Sequence, residues 1–159
     1  MDFNIFVLST MTSEMTSANF RKYDLDYSCI FSGGIQKIHW PRKLTINVKL
    51  WCAEQHPVSA ELMPSLLPFM DACIIWYHDH SPLSCLKVSN AVSEVTRYMD
   101  NIWLLGTTTP SIHQKHASRI QKSYNRYGFL RPCLTKPLDK SLEIILENEL
   151  TLKNSLYSF

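Results

Sequence analysis

The sequence predicts an α+β domain, with N-terminal antiparallel strands followed by three to four helices packed on one face of the sheet. Extended, alternating segments precede Pro57, helical periodicity follows it, and strands do not alternate with helices along the chain. The 159 residues are 45% hydrophobic and carry a net charge of only +2, which excludes disorder as the dominant state. We expect residues 1–22 to be a poorly patterned N-terminal segment and residues 23–159 to form one domain.

The strand predictions rest on alternation and on turn signals. The clearest strand is Leu44–Trp51, where apolar and polar side chains alternate as in a half-buried antiparallel strand. A short strand is predicted at Asn4–Ser9. Tyr23–Phe31 and Ile35–Trp40 read as the arms of a hairpin, because Ser32–Gly34 between them is a turn signal.

The helix predictions follow from periodicity and caps. The apolar stretch Leu62–Tyr77 predicts a central core helix beginning near Ser65, since apolar side chains cover most of its circumference. A second helix is predicted between an N-cap at Ser81 and a C-cap at Gly106. A third would run from a Thr109 cap to Gly128, and a fourth over Leu138–Leu152.

Positive charge is concentrated in one window. Residues 111–136 hold six basic side chains and no acidic one. Four of the six recur at steps of four, three and four, so they share one face of the predicted third helix, which we call the cationic face: Lys115, Arg119, Lys122 and Arg126. Tyr124 and Tyr127 lie among these charges and are expected contact residues, because tyrosine is favoured at interface hot spots.

The cationic face favours a non-catalytic interaction or adaptor module whose partner is an acidic protein surface. A weak, sequence-nonspecific nucleic-acid binder is the alternative with the same chemistry, because four cations in a row can contact phosphates. A third interpretation is a solvated helix face balanced by the acidic side chains of the fourth helix, such as Glu143 and Glu147.

A metal-assisted enzyme is the alternative from another class. Its candidate residues are Glu54 and His56, which follow the best strand, and His78 and His80. The string Trp76–His80 resembles the Trp-Tyr-His-x-His segment of multicopper oxidases, which supplies two copper ligands there. This chain lacks that family's His-Trp-His-Gly and His-Cys-His segments. No cofactor is therefore predicted, and the binding module is favoured over the enzyme.

Two further patterns bear on partners and compartment. Residues 51–59 and 66–71 resemble a segment in the non-repeat domain of certain ankyrin-repeat proteins with chaperone-like or ubiquitin-linked roles, which also favours a binding module. Five cysteines without a Cys-x-x-Cys pair, and no signal-peptide or transmembrane pattern, predict the cytoplasm or the nucleus.

Overall fold

The computed structural model describes residues 2–22, 32–39, 45–78, 81–107 and 137–157. These residues form five strands, four α-helices and one short 3₁₀ helix. In chain order they are β1 (Asp2–Ser9), α1 (Ser13–Lys22), β2 (Ser32–His39), β3 (Thr45–Glu54), α2 (Pro57–Leu66), the 3₁₀ helix (Leu67–Phe69), β4 (Ala72–His78), α3 (Pro82–Val95), β5 (Ile102–Thr107) and α4 (Leu138–Tyr157).

The strands form one mixed sheet in the order β2-β3-β1-β4-β5. β1 lies in the middle and pairs in parallel with β3 and with β4, and β4 pairs in parallel with β5. Of the described pairs, β2–β3 alone is antiparallel. Strands and helices share one fold as predicted, but the antiparallel arrangement is wrong. Helices α1, α2 and α3 lie between the strands in sequence, and such crossovers are what make neighbouring strands parallel.

Helices cover both faces of the sheet, so the prediction that they pack on one face is also wrong. On one face, Ile5 and Val7 of β1 are buried in a core to which α1 and α4 contribute. On the other, Phe6 and Leu8 are buried in a core to which α2 and α3 contribute. Successive strand residues point to opposite faces, and because both faces of β1 are covered, its sequence is continuously apolar instead of alternating.

The predicted central core helix over Leu62–Tyr77 is wrong. α2 ends at Leu66, the 3₁₀ helix ends at Phe69, and the apolar residues that follow form strand β4, in which Ala72–Tyr77 are buried. A short run that is apolar on all sides is typical of both a buried helix and a buried parallel strand, and its β-branched and aromatic residues favour the strand.

The second predicted helix begins as expected and ends earlier. Ser81 is the N-cap, and its hydroxyl accepts a hydrogen bond from the backbone N–H of Ser84 at 3.2 Å. The helix stops at Val95, however, and the residues that follow form β5. Gly106 is therefore a buried strand residue that pairs with Tyr77, and its predicted role as a C-cap is wrong.

Of the remaining predicted elements, some are confirmed and some are wrong. The strands at Asn4–Ser9 and Leu44–Trp51 are confirmed within β1 and β3, and the fourth helix is confirmed as α4. The turn predicted at Ser32–Gly34 is wrong, since these residues open strand β2. Residues 13–22, for which no regular structure was predicted, form α1. The predicted strand at 23–31 and the third helix lie outside the described residues.

Helix α4 is tied to the amino edge of the sheet by a polar cluster. The Asn101 Nδ2 atom donates to the Asp71 carbonyl oxygen at 2.9 Å and to the Glu149 carboxylate of α4. The Trp103 indole donates to Asn101 Oδ1 at 3.2 Å, and the Asn4 N–H donates to the Asp71 carboxylate at 2.8 Å. No helix in the described ranges is both long and apolar enough to cross a membrane.

Candidate functional site at the carboxyl edge of the sheet

The topology marks one place on the sheet as the expected ligand site. From β1 the chain winds outward to β3, whereas from β4 it winds outward to β5 in the opposite direction. The winding direction therefore reverses between β1 and β4. In open sheets of this kind, ligands bind in the crevice at the carboxyl ends of the strands where the direction reverses. The residues after β1 and after β4 form that position in this chain.

A pair of buried hydroxyl side chains lies at this edge of the sheet. The Thr10 hydroxyl, just after β1, donates to the Ser84 carbonyl oxygen at 3.1 Å and lies 2.9 Å from the Ser84 hydroxyl in α3. Thr10 is 1% exposed and Ser84 2%. The Ser84 hydroxyl also accepts from the backbone N–H of His78, at 3.0 Å, at the end of β4. This Thr10–Ser84 contact, the hydroxyl bridge, joins the residue after β1 to α3, and Ser84 also holds the end of β4.

In the turn between β1 and α1, the side chain of Ser9 is hydrogen-bonded within the turn and to α1. The Ser9 hydroxyl lies 2.8 Å from the Thr16 hydroxyl and accepts from the Met11 backbone N–H at 3.2 Å. The Met11 side chain is buried in the core. A phosphate-binding loop presents free backbone N–H groups, usually with glycines that allow close approach. The connection Thr10–Thr12 contains no glycine, and the N–H of Met11 is already used.

Three of the four predicted metal residues, Glu54, His56 and His78, lie at this carboxyl edge of the sheet. The Glu54 carboxylate accepts from the Ser13 hydroxyl at 2.6 Å, at the start of α1. The exposed His56 donates its backbone N–H to the Ser59 hydroxyl at 3.0 Å, within the turn into α2. Glu54 is thus the last residue of β3 and His56 follows it, and their hydrogen-bond partners lie in the first turns of α1 and α2.

His78 is separated from Glu54 and His56 by strand β1. It ends β4, two strand positions from β3, which corresponds to roughly 10 Å at the usual strand spacing. Among the residues that the structure describes, no three His, Cys, Asp or Glu side chains come close enough to hold a metal ion. His80 lies outside those residues. His78 belongs to a strand, so its predicted position at the end of a helix is wrong.

The predicted binding residues cannot be placed relative to this edge. They all lie in the segment 108–136, outside the described residues: Lys115, Arg119, Lys122, Tyr124, Arg126 and Tyr127. Their assignment as a binding face stays a prediction.

Two of the three cysteines that the structure describes are not activated nucleophiles. Cys52 and Cys73 are fully buried free thiols, one on each face of the sheet. Burial raises the pKa of Cys52 to about 12 and raises the pKa of Cys73 above its usual range, because the apolar core disfavours the thiolate. A reactive cysteine needs a lowered pKa and access to solvent, and these two have neither.

Sequence reasoning missed the hydroxyl bridge. A signal was present, since Ser9–Ser13 is a run of four hydroxyl side chains around Met11, directly after an apolar strand. Its meaning depends on β1 being the central strand, which the pattern of residues 1–22 did not reveal. Ser84 looked like an ordinary first-turn residue of α3, because nothing local indicates that Thr10 packs beside it.

No protein-family model matches the chain, and no curated protein matches it in sequence.

Proposed function

We propose that this protein is a non-catalytic interaction module that captures an acidic protein surface through the cationic face. The observation that carries the proposal is the concentration of positive charge in one segment of the chain. At the carboxyl edge, where this topology usually holds a ligand, the hydroxyl groups of Thr10 and Ser84 are buried and pair with each other.

The distribution of charge supports a macromolecular partner of acidic character. All of the chain's excess positive charge lies in residues 111–136, with six basic side chains and no acidic one. Solvent-exposed charges of one sign steer an oppositely charged partner and raise the association rate, and salt weakens both effects. Up to residue 149, the part of α4 whose side chains the structure describes, the exposed positions carry mixed charges, with Asp139, Glu143 and Glu147 beside Lys140, and form no comparable single-sign surface.

Charge reversal with a charge-matched control tests the proposal. In the first variant Lys115, Arg119, Lys122 and Arg126 become Glu. In the control, four exposed basic residues elsewhere become Glu, so that the net charge changes equally: Arg21, Lys22, Arg97 and Lys140. Binding to fluorescein-labelled poly-L-glutamate and to a labelled DNA duplex is measured by anisotropy over about 50–300 mM salt.

The expected result is at least a tenfold loss of poly-L-glutamate affinity in the cationic-face variant and less than a threefold loss in the control. If the protein binds the DNA duplex more tightly than poly-L-glutamate, and the cationic-face variant loses this salt-sensitive binding, the cationic face binds nucleic acid and the acidic-protein proposal is overturned. Equal losses in both variants would show that net charge, and not this face, is responsible.

Elemental analysis of the protein purified without chelator provides the comparison with an enzyme. Stoichiometric zinc or copper that is lost when His78 and His80 become Ala would overturn the proposal of a non-catalytic module. The same measurement on a Glu54→Gln, His56→Ala variant would show whether residues after β3 share that site.

A further inference from the structure

Helix α2 and the 3₁₀ helix that continues it present large apolar side chains to solvent. Phe69 is 76% exposed, the largest exposed fraction among the large apolar side chains that the structure describes, and Leu62 is 42% exposed. Leu66 lies between them in sequence and packs partly buried against the core. We call these three residues the apolar ridge. Exposed apolar side chains that are grouped on one surface mark interaction sites.

The spacing of the three side chains places them in one row. Leu62 and Leu66 are four residues apart in α2, so they are neighbours on the same side of the helix. Leu66 is also the N-cap of the 3₁₀ helix, and Phe69 is its last residue. Side chains three residues apart eclipse in a 3₁₀ helix, so Phe69 continues the row. Met63 and Leu67, one position further around, are buried, and the ridge therefore borders the core.

The charges beside the ridge are negative. Residues 50–86 contain no lysine or arginine and four acidic residues: Glu54, Glu61, Asp71 and Asp79. Glu61 is exposed and directly precedes Leu62, and Asp71 is exposed two residues after Phe69. They are the only charged residues in α2, the 3₁₀ helix and the connection to β4. Lys49, just before this stretch, forms an ion pair with Asp2 at 3.4 Å, so the two together add no net positive charge.

A helix with one apolar face and basic flanks fits both properties of this surface. The seven residue steps from Leu62 to Phe69 span roughly 10 Å, which is about two turns of a partner helix. A row of side chains on one helix packs into the groove between two rows on another. Lysine or arginine beside the apolar stripe of the partner would be attracted by the two carboxylates, whereas an acidic partner would be repelled.

We propose that the apolar ridge binds an amphipathic helix of a partner protein, with the apolar stripe of that helix on Leu62 and Phe69 and basic side chains facing Glu61 and Asp71. Binding of an amphipathic helix by its apolar face is a common mode of peptide recognition. The ridge prefers the opposite charge from the cationic face, so the protein has two surfaces that select different partners. The proposal does not rest on the cationic face.

Binding of synthetic helices to the full chain tests the proposal. The probe is a fluorescein-labelled peptide of about 18 residues, five helical turns, with leucine along one face and lysine at the other positions. In one control peptide glutamate replaces every lysine. In the other the same residues are scrambled so that no apolar face forms. Anisotropy titrations with up to about 100 µM protein should show at least tenfold tighter binding of the Leu-Lys peptide than of either control.

Two pairs of variants locate the binding surface. Phe69→Ala should weaken binding of the Leu-Lys peptide at least about tenfold, because aromatic anchors carry much of the affinity of an interface. Leu86→Ala removes a similarly exposed apolar side chain from α3 and should change the affinity less than about twofold. Glu61→Lys should weaken binding about threefold, and Glu14→Lys, the same charge change at an exposed position of α1, less than about twofold.

The outcomes separate this proposal from the one for the cationic face. The variant with the reversed cationic face should bind the Leu-Lys peptide at least as tightly as the parent chain, so either proposal can fail alone. No binding of that peptide at about 100 µM, tighter binding of the Leu-Glu peptide, or equal losses in Phe69→Ala and Leu86→Ala would overturn the proposal. A chain that sediments as a dimer and becomes monomeric in Phe69→Ala would assign the ridge to a second copy instead.

Discussion

Removing one hydroxyl of the bridge between Thr10 and Ser84 should destabilise the fold. Thr10→Val keeps the side-chain shape but deletes the donor to the Ser84 carbonyl oxygen and the partner of the Ser84 hydroxyl. Both residues are buried, so water cannot replace the lost contacts. A buried polar group left without its partner costs about 1–3 kcal/mol, and we expect Thr10→Val to lower the free energy of unfolding by about 1–2 kcal/mol.

Ser84→Ala should cost more, about 2–3 kcal/mol, because it also deprives the His78 backbone N–H of its acceptor at 3.0 Å. The double variant should be about 1 kcal/mol more stable than the sum of the two losses predicts, since the second substitution removes an interaction already broken. Urea unfolding followed by circular dichroism gives these free energies, provided the slope with denaturant is unchanged. Ser65→Ala, at an exposed position of α2, is the matched control and should stay within about 0.5 kcal/mol.

Two results would refute this reasoning. A Thr10→Val loss no larger than that of the control would mean that the hydroxyl bridge adds nothing to stability. Strictly additive losses would mean that Thr10 and Ser84 do not interact in solution.

Three further predictions concern the rest of the described structure. Burial raises the pKa of Glu94, although the charge of Arg97 acts in the opposite direction. Above the pKa of 4.5 that the carboxyl group has in the unfolded chain, the ionised Glu94 therefore destabilises the folded state. Glu94→Gln should raise the melting temperature at about pH 7 but not at about pH 3.5, where Glu94 is protonated in the folded and the unfolded chain. Asn101→Ala should cost about 1–3 kcal/mol in urea unfolding, because the Trp103 indole loses its acceptor and α4 loses its tie to the sheet; Asn90→Ala, at an exposed position, should cost less than about 0.5 kcal/mol. Cys52 should react with Ellman's reagent only on unfolding, and fast modification of the thiol in the native protein would contradict its burial.

Local signals in the sequence predicted the elements whose pattern is complete within a few residues. Strand β3 alternates because its Val48 and Leu50 face a core while the residues between them do not, and the short period is visible in the sequence. The cap at Ser81 is equally local, because its hydroxyl reaches only three residues ahead. Helix α4 was predictable from the spacing of Leu142 and Ile145, which face the core on one side.

The candidate site was predictable only in part. Glu54, His56 and His78 were chosen as polar residues next to apolar segments, and the structure puts them at the carboxyl edge of the sheet. Their separation by β1 could not be read from the chain, because nothing near any of them records the order of the strands.

The sequence by itself determined where β3, α3 and α4 begin, how charge is divided along the chain, and that no glycine-rich phosphate loop is present. Tertiary structure decided that four of the five strands are parallel, that β4 is a strand, and that Thr10 contacts Ser84. The physical reason is distance along the chain. A continuously apolar segment such as β4 can bury its side chains either as a helix or as a strand. The choice is made by pairing with β1 and β5, which lie 67 and 29 residues away in the registered pairs Ile5–Ala72 and Cys73–Ile102.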